Sequence, residues 1–121
     1  MKRFAASLLM LVAAAVQAQA PGERTAWQAV DCDHECLSQF ARDYVTAMVK
    51  HDTSALRKQA QVRFTENDVE LPFGKEGMWA TATGVAPNAL IAADTQSGQV
   101  AWLGTAEENG KPVYFALRLP C

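Results

Sequence analysis

The sequence predicts an α+β domain in which one amphipathic helix lies on an antiparallel sheet with a single apolar face. Three observations carry this. Leu37, Phe40, Ala41, Tyr44, Val45 and Met48 recur at spacings of three and four, which is a helical stripe. From Val62 onward the apolar period drops to two, the spacing of half-buried strands. Asn109-Gly110 sits between two alternating runs, the strongest short-range sign of a hairpin.

The chain opens on Lys2 and Arg3, continues as a nearly unbroken apolar run from Phe4 to Val16, and reaches Ala18-Gln19-Ala20. A positive end, an apolar run too short for a bilayer and an A-x-A site read as a secretory signal peptide over residues 1–20. The working chain is then expected to begin at Pro21, with a mobile tail over residues 21–30 and one domain over 31–121. The expected location is secreted or periplasmic, with no membrane attachment after cleavage. Of the 121 residues, 13 are acidic and 11 basic, and two of the basic ones leave with the leader. An acidic domain of this kind lacks the basic face that nucleic acid requires. Export also places the cysteines in an oxidising compartment.

Asp33 is a good N-cap, so the first helix is expected from Asp33 or His34 to Lys50, with Gln39, Arg42, Asp43 and Thr46 on its wet side. Thr53-Ser54 can cap a second, shorter helix through about Ala60, although only Ala55, Leu56 and Ala60 could pack. Val62 and Phe64 alternate with Arg63 and Thr65, Glu66-Asn67-Asp68 reads as a turn, and Val69 and Leu71 return. Pro72-Phe73-Gly74 breaks this hairpin, and Glu76 to Thr83 could hold a helical turn anchored by Met78 and Trp79. Strands follow at Ala89 to Ala93, Gln99 to Glu107 and Pro112 to Leu119. In the last, Val113, Phe115, Leu117 and Leu119 share one face, so the helix is the natural lid on that side.

This order, with Asp43-Tyr44-Val45-Thr46-Ala47-Met48, His51-Asp52 and Val62-Arg63-Phe64-Thr65-Glu66-Asn67, resembles the superfamily of nuclear transport factor two, ketosteroid isomerase and SnoaL. Gly77-Met78-Trp79, Ser97-Gly98-Gln99-Val100, Glu108-Asn109-Gly110 and Ala116-Leu117-Arg118-Leu119 are similar to a secreted branch of it without an assigned activity. The resemblance covers roughly Asp33 to Leu119. It implies a cone-shaped, curved antiparallel sheet on a long N-terminal helix, with an apolar pocket between them. It also implies one further strand after the one at Pro112 to Leu119, which this sequence is expected to lack. Fold resemblance leaves function open, because this superfamily hosts enzymes and binding modules alike.

The resemblance places Tyr44 where the isomerases carry a hydrogen-bond donor to a developing enolate, and Glu66 near their carboxylate base. The plainer readings are a core tyrosine satisfied by a neighbour and a solvated turn glutamate. Phe64, Phe73, Trp79, Trp102 and Phe115 could line an apolar pocket, or could be core. His51-Asp52 invites reading as a base and its orienter, but adjacent residues at a helix exit diverge and Asp52 also suits a cap. Asp94 is a weaker pocket candidate. Cys32, His34 and Cys36 could hold zinc or copper, yet in an oxidising compartment a Cys32–Cys36 disulfide fixing the helix start is expected. Cys121 is the odd thiol: it could join another subunit, stay free, or replace a partner in that pair.

No nucleotide loop, zinc-hydrolase motif or nucleophile elbow is present in the sequence, and neither a cofactor nor a metal is expected. Three functions stay open: binding of a small hydrophobic molecule, an isomerase, dehydratase or cyclase using Tyr44 and Glu66, and an interaction module pairing through an open sheet edge. Such an edge is expected to give either a homodimer, by strand pairing or face-to-face packing of sheets, or poor solubility at raised concentration.

Overall fold

The structure, a computed structural model, describes residues 32–56, 58 and 61–121. The expected signal peptide and tail lie outside these. Helix α1 spans His34–Lys50 and starts as the sequence requires: the Asp33 carboxylate accepts the Cys36 N–H at 2.9 Å. Leu37, Ala41, Tyr44, Val45, Ala47 and Met48 are buried along one stripe, while Gln39, Arg42, Asp43 and Thr46 face solvent. At its end His51 adopts a left-handed conformation, and the Asp52 N–H reaches back to the Ala47 carbonyl at 3.0 Å.

The expected second helix is corrected. The Ser54 N–H goes to the Asp52 carboxylate and the Leu56 N–H to the Thr53 carbonyl, giving turns over residues 53–56 rather than a helix. Ala55 is exposed, so too little apolar surface is buried to offset the cost of starting a helix. Ala60 lies outside the described residues.

Strands β1 (Phe64–Glu66) and β2 (Val69–Leu71) form the small antiparallel hairpin. Asn67 and Asp68 make its turn, both with positive φ as a two-residue hairpin of this kind requires. Glu66 is therefore the last strand residue and half-buried, not a solvated turn residue. Helix α2 (Met78–Thr81) supplies the expected helical turn.

The main sheet is a meander in the order β3-β4-β5, with β3 at Ala82–Asp94, β4 at Gln99–Glu108 and β5 at Lys111–Pro120. Strand β3 begins well before the expected Ala89. Its pairing with β4 shifts between Val85 and Ala89, and this irregularity accommodates Pro87, which has no N–H to give a ladder. Helix α1 lies against β3 and β4. The core between them contains Val100, Trp102 and Leu119 from the sheet and Leu37, Ala41 and Val45 from the helix. The architecture is thus α+β, with a 17-residue helix on one face of a three-stranded sheet and a two-stranded hairpin beside it.

Candidate functional site

Tyr44 sits in the middle of α1 and points into the core, where it is 5 % exposed. Its hydroxyl oxygen accepts the indole N–H of Trp79 at 2.8 Å, and Trp79 is itself 1 % exposed. The two rings meet edge to face at 5.2 Å, and Phe73 completes the group at 5.0 Å from Trp79 and 6.2 Å from Tyr44. Phe64 touches the far side of Phe73 at 6.1 Å. Burial pushes the Tyr44 phenol above its ordinary pKa, the Trp79 bond pulls it partly back, and the nearby Glu66 carboxylate pushes it up again. Tyr44 is neutral at physiological pH. An indole donates only, so the phenol proton is not used in this bond.

The Glu66 carboxylate accepts the Met78 N–H at 2.8 Å. It therefore caps α2 from another element, where the N-cap Gly77 has no side chain to do so. Gly77 has φ +62, and a Cβ there would collide with the same carboxylate oxygen. Glycine is required at this position on both counts. Glu66 and Tyr44 are thus brought into one neighbourhood, but each has a structural partner.

The five aromatics expected to line a pocket divide into two groups. Phe64, Phe73 and Trp79 pack around Tyr44, whereas Trp102 stacks on Phe115 at 4.4 Å within the sheet. Trp102 also lies over Gly104, where a Cβ would come within 2.5 Å of its ring. Two surface recesses lie elsewhere. One of about 230 Å³ adjoins Asp94, Ser97 and Arg118, and one of about 380 Å³ adjoins the β3 irregularity at Gly84, Val85 and Ala86. Neither is lined by Tyr44, Glu66 or any of the five aromatics.

The remaining candidates have local tasks. His51 donates Nδ1–H to the Trp79 carbonyl, which ties the end of α1 to α2. Asp52 turns instead to Ser54, and this hydrogen bond lowers its pKa, so the adjacent pair is not a base with its orienter. Asp94 accepts from the Ser97 hydroxyl and the Gln96 N–H in the β3–β4 turn, and its pKa is lowered for the same reason. Cys32 and Cys36 are bonded to each other, with Cα atoms 5.1 Å apart, and Cys121 is a free exposed thiol. The long-range ties from His51 and Glu66 have no signature in a sequence, because the groups they reach in α2, the Trp79 carbonyl and the Met78 N–H, are main-chain groups that every residue carries.

The α+β class is as far as fold and site define the protein. No family profile, no curated protein and no solved structure matches the chain. Among the described residues no helix is long and apolar enough to cross a membrane.

Proposed function

We propose that this is an exported, non-catalytic interaction module that works through its three-stranded sheet. One observation carries the reading: the sheet face turned away from α1 carries, among the described residues, an uncovered apolar strip with polar side chains at its margins. Leu90, Leu103 and Ala116 stand side by side across the three strands, with Ala92, Ala101 and Arg118 in the next row and Thr105 and Tyr114 in the row on the other side. Leu90 is 66 % exposed, Leu103 43 % and Tyr114 93 %. Contiguous apolar surface of this kind on a soluble domain marks a site of association. Its spread across three strands suits another protein surface better than a small molecule, which needs an enclosed, mostly apolar site.

A second reading, binding of a small hydrophobic molecule or turnover by Tyr44 and Glu66, is favoured by the uncommitted phenol proton and by the half-buried rings of Phe64 and Phe73 beside it. The element order of the ketosteroid-isomerase-like superfamily would suit either reading. An anilinonaphthalene sulfonate probe separates them. If the sheet face is the working surface, Leu103→Asp removes most of the probe's fluorescence without loss of fold, and Phe73→Ala does not. Loss with Phe73→Ala or Tyr44→Phe, and none with Leu103→Asp, would transfer the function to the aromatic site.

A further inference from the structure

Strand β5 is paired over its whole length with β4, and among the described residues nothing pairs with its other side. Its backbone direction follows from two facts. The Cys121 N–H bonds the Gly98 carbonyl at 2.7 Å, so Leu119, Leu117, Phe115 and Val113, at successive two-residue steps, also turn their main-chain groups toward β4. Pro112 and Pro120 belong to the alternate set, where a missing N–H costs the ladder nothing. The free edge therefore offers the N–H groups of Tyr114, Ala116 and Arg118, bounded by a proline at each end.

We propose that this edge pairs with the same edge of a second copy of the chain, antiparallel about a twofold axis at Ala116. The proposal rests on the interaction-module reading and adds the partner and the register. In this register Ala116 exchanges both its main-chain bonds with its twin, and Tyr114 and Arg118 exchange theirs on either side. The ladder ends where it must, because Pro112 would face Pro120 and neither has an N–H to give. The side chains are self-complementary as well. On the outer face the Tyr114 ring lies opposite the Arg118 guanidinium of the second copy, a favourable cation–π pair. On the inner face Phe115 lies opposite Leu117 and Val113 opposite Leu119. Phe115 and Leu117 are only partly buried in the single chain, since α1 covers β3 and β4, so pairing extends the core across the axis. The two three-stranded sheets become one, whose outer edges are the irregular β3 strands. Edges broken by a bulge resist further addition, so assembly stops at two.

Sedimentation velocity on the full chain, from micromolar to millimolar concentration, tests this with hydrogen exchange read residue by residue. The expected result is a reversible dimer in which the amides of Tyr114, Ala116 and Arg118 become protected as concentration rises. Ala116→Pro removes the central donor without touching the β4 ladder and should be monomeric throughout with an unchanged circular dichroism spectrum. Tyr114→Lys alters a side chain exposed in the single chain, so its fold is safe, and it sets like charges opposite each other on both sides of the axis. Dimer affinity should fall about tenfold. A dimer that survives both substitutions and is dissolved by Leu103→Asp overturns the edge pairing while leaving the interaction reading intact. Protection of the three amides that is independent of concentration places a segment of the same chain on the edge and also overturns it. A monomer at every concentration, with no effect of Leu103→Asp on probe binding, overturns both.

Discussion

Replacing Tyr44 by phenylalanine removes one oxygen atom and leaves the ring, so its effect isolates the bond to Trp79. In water such a bond exchanges for another, and its net worth is about 1 kcal/mol. Here both partners are buried, at 5 % and 1 % exposure, and the indole N–H has no other acceptor within the described residues. The loss therefore includes the cost of an unsatisfied buried donor, and the expected destabilisation is about 2 kcal/mol, within the range of 1–3 for such groups. For a domain of this size that corresponds to a fall in Tm of roughly 10 °C. Urea unfolding followed by tryptophan fluorescence measures it, and a double-mutant cycle with Trp79→Phe isolates the pair, because deleting the hydroxyl should matter far less once the donor is gone. The pH dependence has a definite sign. Burial raises the folded pKa of Tyr44 above its ordinary value of 10.0, so its contribution is intact below that pH and is lost as pH rises through the folded value. The stability gap between wild type and Tyr44→Phe should narrow above pH ~10. A Tyr44→Phe variant within about 0.5 kcal/mol of wild type at neutral pH would refute the reasoning, since that is the scale of an exposed substitution.

Two further outcomes follow from other ties. Glu66→Ala leaves the Met78 N–H without its cap and should cost about 1 kcal/mol, whereas Glu66→Gln, which keeps an acceptor oxygen, should cost less than half of that by the same denaturation assay. Mass spectrometry of the oxidised protein should show a two-hydrogen deficit and a single alkylatable thiol at Cys121, and Cys36→Ser should lower stability by at most ~2 kcal/mol, given so short a loop.

Much of this fold could be read locally. Helix α1 announced itself through the Asp33 cap, the apolar stripe and Lys50, all within one segment, and the two-residue turn at Asn67-Asp68 follows from residues that tolerate positive φ. The start of β3 was hidden because Gly84 and Pro87 look like loop, and only pairing with β4 shows that an irregular strand absorbs them. Thr53 to Leu56 had helical capping signals but only Leu56 to dock on the core, so local preference lost to packing. At the candidate site, Tyr44 and Trp79 lie 35 residues apart, and nothing in either segment specifies the other as its partner. Tyr44 and Glu66 could be singled out, but their hydrogen-bond partners come from the α2 turn, whose position only tertiary structure fixes.

The Cys32–Cys36 bond bears on how the chain finds this fold. Starting a helix is its least favourable step, because a full turn of backbone must be ordered before the first bonds form. Here the covalent loop encloses the N-cap and first turn of α1, including the Asp33 carboxylate and the Cys36 N–H that it accepts. Once oxidised, even the unfolded chain carries that turn in a narrowed set of conformations. Helix growth then proceeds from a fixed origin toward Lys50, in the direction of Tyr44 and the residues that β3 and β4 must meet.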